Sequence, residues 1–147
     1  MRTIGIDYDS HAVHFAVLEE EELSFYRYHV GDTLFDVVVG IQVVLRAHPA
    51  DLVIVEAPIY IQNPKTSFKL AQVHTLIRLA CEKESCKYEI LGVTAWKKLT
   101  FGFAKLTKQE VFELMKTKYG EIISDTHFAD SAAMAVAGQK LLESKSG

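Results

Sequence analysis

Three acidic side chains interrupt stretches of the sequence that are otherwise apolar. Asp7 follows an alternating apolar run, Glu56 ends the run "DLVIVE", and Asp130 lies in the small-residue segment "HFADSAAMAVAG". Carboxylates that are brought close together repel each other unless they are protonated or bridged by cations. Mg²⁺ prefers oxygen ligands, and two such ions about 3.5–4 Å apart can stabilise the attacking and the leaving oxygen in phosphodiester cleavage. The acids therefore predict a two-metal hydrolytic site, provided that the fold gathers them.

Each acid also has an ordinary structural explanation. Asp7 could be a turn residue that binds its own backbone, Glu56 could be solvated at a strand end, and Asp130 could be a helix N-terminal charge. Each explanation is the better one for its acid alone. The presence of all three acids on otherwise apolar elements favours a shared site.

The first half of the chain predicts a meander of strands followed by a helix. Residues 2–9, 12–19 and 23–30 carry alternating apolar side chains, which is typical of three short antiparallel strands. In the next segment apolar residues recur at helical spacing, and Asp32 is placed to cap the helix. The expected buried face of this helix consists of Leu34, Val37, Val38, Ile41, Val44 and Leu45.

The second half predicts alternating strands and helices. "DLVIVEAP" is typical of a strand buried on both faces, and "YEILGV" predicts a fifth strand. Between them, a helix over about 66–84 has apolar residues outside its main stripe, so it requires a second burial partner. A capping box from Thr107 to Glu110 begins a further helix, and "DSAAMAVAGQKLLE" predicts a last helix able to pack closely on the sheet.

The element order is therefore β-β-β-α-β-α-β-α-α, in an α/β fold. We expect a single domain over residues 1–147, with a mixed five-stranded sheet: three antiparallel strands, then two parallel to the first, and helices on both faces. Sites on such sheets gather where strands end, which would bring the three acids together. We find neither an 18-residue apolar run nor a targeting leader, so we expect a cytoplasmic protein with no membrane partner.

Charge is unevenly distributed along the chain. Residues 1–64 hold three basic and ten acidic side chains, whereas residues 65–118 hold eleven basic and five acidic ones. A basic block of this kind suits a phosphate-binding face. On charge alone, a solvated helical surface is the simpler interpretation.

Four segments together resemble the RuvC family of Holliday junction resolvases, which have the RNase H-like fold. They are "IGIDYDSHAVHFAVLE", "DLVIVEAPIY", "WKKLTFGFAKLTKQEV" and "HFADSAAMAVAG", in the family's order and spacing. The resemblance implies that Asp7, Glu56 and Asp130 are metal ligands. It also implies a fourth ligand at His127, one helical turn before Asp130, where many relatives carry Asp. The expected cofactor is two Mg²⁺ ions per site; Mn²⁺, which accepts nitrogen more readily, can substitute. A core histidine is the alternative for His127, and Asp125 is a fallback acid.

The resemblance also assigns a DNA-binding surface. Lys97 and Lys108 fall where relatives place basic residues near the scissile phosphate, and Lys98 and Lys105 would extend that surface. The family opens the junction centre with an aromatic side chain from the loop after Glu56; Ile59 is at the aligned position here, stacking on a base favours its neighbour Tyr60, and Phe68 is the alternative. This chain departs from the family at Tyr8-Asp9, where relatives usually have Pro-Gly, so the turn after the first strand is altered.

The expected function is metal-dependent resolution of four-way DNA junctions by paired symmetric nicks. Symmetric cleavage needs two active sites, so we expect a homodimer, formed through the 66–84 helix. The short chain and modest basic content suggest a phage-type relative, acting in a bacterial or phage-infected cell. Two alternatives remain open: an RNA-processing nuclease of the same superfamily, and a non-catalytic nucleic-acid-binding module.

Overall fold

A computed structural model of the chain describes residues 1–59 and 62–146. The elements in chain order are β1 (Arg2–Tyr8), β2 (Ala12–Glu19), β3 (Glu22–His29), α1 (Leu34–Ala47), β4 (Leu52–Glu56), α2 (Pro64–Lys83), β5 (Tyr88–Leu91), α3 (Val93–Phe101), α4 (Lys108–Tyr119), a 3₁₀ turn (Gly120–Ile122) and α5 (Thr126–Ser146).

The five strands form one mixed sheet in the order β3-β2-β1-β4-β5. β1, β2 and β3 pair antiparallel, as their short connecting turns dictate. β4 runs parallel to β1, and β5 runs parallel to β4, because a helix separates each of these strands from the preceding one. The predicted fold class is therefore confirmed.

Helices cover both faces of the sheet. α1 and α2 pack on the face that carries Ile6, Phe15 and Val55. α3, α4 and α5 pack on the opposite face, against side chains such as Ile54. Since neighbouring residues of a strand point to opposite faces, the residues next to these apolar side chains, including Asp7 and Glu56, lie on the α5 face.

α5 packs unusually closely on β1. A Cβ atom at Gly5 would overlap the backbone carbonyl oxygen of Ser131 and come too close to the backbone nitrogen of Ala135. Small buried residues of α5, such as Ala132, allow this approach. The close packing holds the first turns of α5 beside the carboxyl end of β1.

The predicted element order is wrong in one respect, since it omits α3. This helix has nine residues; Gly92 precedes it as an N-cap without a side-chain hydrogen bond, and Gly102 follows it in a left-handed conformation. A short helix bounded by two glycines lacks the capping residues by which a helix start is recognised in a sequence.

The prediction for the start of α1 is also wrong. The cap is Thr33, whose side chain accepts a hydrogen bond from the Asp36 backbone N–H at 3.1 Å, and not Asp32. Leu34 therefore lies in the first turn, where it is exposed, while Val37, Val38, Ile41 and Leu45 are buried as predicted. The capping box from Thr107 to Glu110 is confirmed.

Several apolar side chains of α1 and α2 remain uncovered. Phe68 and Leu79 on α2 are 72% and 46% exposed, and Phe35 on α1 is 75% exposed. Leu34, Phe35 and Leu79 line one shallow groove between the two helices. Among the described residues, no helix is both long enough and apolar enough to cross a membrane.

Candidate active site

Two of the predicted acids meet at the carboxyl ends of adjacent parallel strands. Ile6 of β1 pairs with Val55 of β4, so the next residues, Asp7 and Glu56, lie side by side on the α5 face. Asp7 is 5% exposed and Glu56 is 6% exposed. The apolar residues that precede each acid form the strands and thereby carry both carboxylates into a buried position.

The other two predicted ligands come from α5. Asp130 is 5% exposed, and His127 precedes it by one helical turn on the side facing β1. Asp125 has a different position. Its Oδ1 accepts a hydrogen bond from the Phe128 backbone N–H at 2.8 Å, and its Oδ2 pairs with Arg27 at 2.6 Å. Asp125 thus supports the start of α5 and does not serve as the fallback acid.

These residues surround one open cavity of about 350 Å³. Its lining comprises Asp7, Tyr8, Asp9, Glu56, Ile59, Leu70, Val93, Trp96, Lys97, Lys108, His127 and Asp130. All four predicted metal ligands and both predicted phosphate-contacting lysines are therefore brought together. Lys98 and Lys105 are exposed and are not in the part of the lining formed by residues 1–59 and 62–146. Tyr60 lies outside the described residues.

Specific hydrogen bonds orient the side chains of the cavity. His127 Nδ1 lies 3.0 Å from Asp7 Oδ2. The indole Nε1 of Trp96 donates to Glu56 Oε1 at 3.2 Å. Lys108 Nζ donates to Asp130 Oδ2 at 2.8 Å. Each acid is thus held by a partner from a different element.

Lys97 is anchored at the side of the cavity. Its Nζ donates to the backbone carbonyl of Leu106 at 2.6 Å, which ties α3 to the segment before α4. An ammonium group has three donors. Both Lys97 and Lys108 therefore retain donors for a phosphate oxygen while keeping these contacts.

The electrostatics of the cavity reflect crowded negative charge. Burial and the charges of Asp7 and Asp130 raise the pKa of Glu56 to about 8, against the opposing hydrogen bond from Trp96. Burial also raises the pKa of Asp130, although Lys108 opposes the shift. A proton on Glu56 relieves the repulsion in the metal-free protein, and a divalent cation would relieve it in its place.

His127 is drawn towards its charged form. The hydrogen bond to Asp7 raises the pKa of the His127 imidazole, and burial opposes that shift. Its second nitrogen, Nε2, lies 3.9 Å from Asp9 Oδ2. His127 is therefore flanked by two carboxylates and is not a core histidine.

Tyr8 and Asp9, which follow the ligand position on β1, give the site two further contacts. The Tyr8 hydroxyl donates to the backbone carbonyl of Glu56 at 3.0 Å and lies 3.0 Å from His74 Nδ1. Asp9 Oδ1 accepts from the backbone N–H groups of His11 and Ala12, which closes the turn between β1 and β2. Tyr8 thus fastens the end of β4, and Asp9 shapes the rim of the cavity.

Sequence reasoning missed His14. This residue pairs directly with Asp7 across the β1–β2 ladder and is 2% exposed. The signal was present, because a turn centred between Ser10 and His11 makes residues 7 and 14 opposite one another on the same face. In the alternating pattern of β2 a histidine between two apolar residues is an ordinary polar position, so it is not recognised as part of a site.

The residues present fit a divalent metal. Three buried carboxyl groups face one cavity, and oxygen ligands of this kind are those that hard divalent cations prefer. The tightest group of possible ligand atoms within the described ranges differs from the predicted set, because it comprises Asp7, His14 and His127, within 4.8 Å of one another. Glu56 and Asp130 line the same cavity but are not members of that group.

Comparison with known proteins identifies the family. A family model described as crossover junction endodeoxyribonuclease RuvC matches residues 3–138. The chain belongs to the RuvC family. It is 26% identical over 148 residues to the crossover junction endodeoxyribonuclease RuvC of Sulfurovum sp. (strain NBC37-1), covering 92% of this chain and 93% of that protein.

Two solved structures share the fold. Thermus thermophilus RuvC in complex with Holliday junction substrate superposes with a TM-score of 0.79 at 15% identity, covering 98% of this chain and 96% of that one. The fowlpox virus resolvase in complex with Holliday junction DNA gives a TM-score of 0.59 at 15% identity, with 99% of both chains covered. The RNase H-like fold expected from the resemblance is confirmed, and the chain is an endodeoxyribonuclease of a divalent-metal-dependent family.

Proposed function

We propose that this protein resolves four-way DNA junctions by metal-dependent hydrolysis of phosphodiester bonds, with paired, symmetric nicks. The observation that carries the proposal is the convergence of Asp7, Glu56 and Asp130, all buried, on one cavity flanked by Lys97 and Lys108. Burying ionised acids beside an open cavity lowers the stability of a fold unless cations pair with them. A group of such acids is therefore a candidate for metal binding or catalysis. Family membership supports junction DNA as the substrate.

The proposed ligands are Asp7, Glu56, Asp130 and His127. Asp7 and Glu56 would hold the ion on the side of the attacking water, and Asp7, Asp130 and His127 the ion on the side of the leaving 3′ oxygen. Two bound divalent ions supply the positive charge that stabilises both oxygens of the displacement. Mg²⁺ suits the carboxylates, and the imidazole of His127 makes Mn²⁺ an effective substitute.

The remaining residues of the site position these groups and the phosphate. Trp96 donates to one oxygen of Glu56 and thereby fixes the orientation of this carboxyl group, which lines the cavity. Lys108 holds Asp130 and, with Lys97, offers free donors to the scissile phosphate. A lysine in this position opposes the negative charge that develops in the transition state.

We further propose that the active species is a homodimer formed through α2. Paired nicks need two active sites related by a two-fold axis. The exposed Phe68 and Leu79 give α2 an uncovered apolar face, and Phe35 of α1 extends it. A face of this kind is typical of surfaces that are buried on association.

The test uses a synthetic four-way junction with each strand end-labelled in turn. The wild-type protein is incubated with the junction, with linear duplex of the same sequence and with a structured RNA, each in Mg²⁺, Mn²⁺ or EDTA. We expect symmetric nicks in the junction only, in either metal and not in EDTA. Cleavage of the RNA in preference to the junction would favour an RNA-processing nuclease. Junction binding without nicks in either metal would leave a binding module.

A further inference from the structure

The ring of His14 stacks face to face on the ring of His127, a proposed metal ligand. The two ring centroids lie 4.4 Å apart and the ring planes are 4° from parallel. Phe128 also meets the His14 ring edge-on, with centroids 5.6 Å apart and an interplanar angle of 83°. The β1–β2 ladder places His14 directly opposite Asp7, which is the hydrogen-bond partner of His127.

Ring contacts determine the orientation of His14. The side chain is buried, and its Nδ1 has no hydrogen-bond partner within the described part of the chain. A buried ring nitrogen without a partner costs stability. No hydrogen bond within the described residues holds Nδ1, so the ring contacts between β2 and α5 are what orients this side of the ring.

Parallel stacking is incompatible with two imidazoles binding the same ion. The lone pair of an imidazole nitrogen lies in the ring plane, so His127 would bind an ion in the plane of its own ring. The plane of His14 runs parallel to that plane, so the lone pairs of His14 would not be directed at the same ion. Proximity alone, with ligand atoms of Asp7, His14 and His127 within 4.8 Å of one another, does not make His14 a ligand.

We propose that His14 is a positioning residue, which holds the His127 ring with its Nδ1 towards Asp7 and does not itself bind the metal ion. The proposal rests on the proposed metal site. His14 contacts His127 through the flat face of its ring. An aromatic ring without nitrogen at position 14 should therefore hold His127 equally well. Loss of the ring should release His127 and weaken metal binding.

The first test counts nitrogen ligands in the unmodified protein. Mn²⁺ is bound to protein labelled with ¹⁵N-histidine, and couplings of histidine nitrogen to the ion are measured by pulsed electron paramagnetic resonance. We expect one directly coordinated imidazole per protomer. Either two or none would overturn the proposal, because His14 would then be a ligand or His127 would not be one.

The second test compares the variants His14→Phe and His14→Ala with His29→Ala, a control at an exposed histidine of β3. Mn²⁺ affinity is measured by titration, after circular dichroism has established that each variant folds. We expect His14→Ala to bind Mn²⁺ about 10–100-fold more weakly, as is typical when support for a ligand is removed. His14→Phe and His29→Ala should keep the wild-type affinity.

Equal weakening in His14→Phe and His14→Ala would overturn the proposal, because the nitrogen and not the ring would then be required. If His14→Ala does not fold, the nitrogen count and His14→Phe still decide the matter. Junction nicking is assayed with the same wild-type preparation, so that failure of the proposed function can be distinguished from failure of the proposal for His14. Absence of metal-dependent nicking would contradict that function whatever the nitrogen count.

Discussion

Glu56 is the residue whose protonation links the site to stability. Burial and the charges of Asp7 and Asp130 raise the pKa of Glu56 from its ordinary value of 4.5 to about 8. Between these two values the metal-free folded state holds a proton that the unfolded state has already released. The free energy of unfolding therefore falls as the pH rises from about 4.5 to about 8.

We predict that Glu56→Gln raises the melting temperature of the metal-free protein at pH 8 and removes the contribution of Glu56 to its pH dependence, while it abolishes cleavage. The amide keeps the acceptor for Trp96 but carries no charge. The measurement is thermal unfolding in EDTA from pH 5 to pH 8.5. The exposed Glu21→Gln is the control and should follow the wild type. A variant that is less stable than wild type at pH 8 would contradict the origin proposed for the raised pKa.

Lys108 provides a second prediction for a single side chain. Its Nζ contacts Asp130 and faces the cavity, so Lys108→Ala removes a cation from the proposed phosphate position. We expect the single-turnover cleavage rate to fall about 10²–10³-fold, the range found when one donor that stabilises developing charge is lost. Junction affinity, measured by gel shift, should change little. Lys118→Ala, at the other end of α4, is the control. A wild-type rate in Lys108→Ala would exclude this role.

Among the elements, α5 most directly determines the geometry of the site. It carries both Asp130 and His127, and its distance from β1 is set by Gly5.

We predict that Gly5→Ala is severely destabilising, beyond the ordinary overpacking cost of about 1–3 kcal/mol, because the added methyl group meets backbone atoms that cannot rotate away. Chemical denaturation measures the effect. Gly92→Ala, where a Cβ meets nothing within 4 Å, should cost less than about 1 kcal/mol. Similar losses in both variants would refute the close-packing argument.

The elements differ in how readily the sequence predicts them. β1, β4 and α5 are long or strongly apolar, so their existence and the positions of Asp7, Glu56 and Asp130 could be predicted from periodicity. α3 was missed because it is short and bounded by Gly92 and Gly102. The cap of α1 was placed one residue early because Asp and Thr are both good N-caps, and only the backbone geometry distinguishes Asp32 from Thr33.

Only those residues of the site whose type is unusual for their position in the sequence could be predicted. A carboxylate on an apolar strand stands out in a sequence, whereas His14 in an alternating strand does not. The contact of His14 with His127 depends on the register of one hairpin and on how closely α5 packs, and both are tertiary properties. The same holds for Tyr8, whose hydroxyl reaches the end of β4 and a side chain of α2.

At the scale of the whole molecule, the uncovered face of α1 and α2 leads to a prediction about assembly. Leu79→Glu places a charge in the groove that Leu79 shares with Phe35. We expect this variant to sediment as a monomer at micromolar concentration, whereas the wild type sediments as a dimer. Leu114→Glu, at an exposed leucine of α4, should remain dimeric. A dimeric Leu79→Glu would indicate that a different surface forms the dimer.

The carboxylates gathered at the ends of β1 and β4 are proposed to support metal-dependent cleavage of junction DNA. Asp7 is common to both proposed ion positions, so Asp7→Asn tests this claim most directly. The measurement is the rate of paired nicking of an end-labelled four-way junction in Mn²⁺, together with junction binding, for wild type, Asp7→Asn and the exposed control Asp32→Asn. We predict that Asp7→Asn binds the junction without nicking it, while Asp32→Asn behaves as wild type. Nicking by Asp7→Asn at the wild-type rate would contradict the assignment of this site.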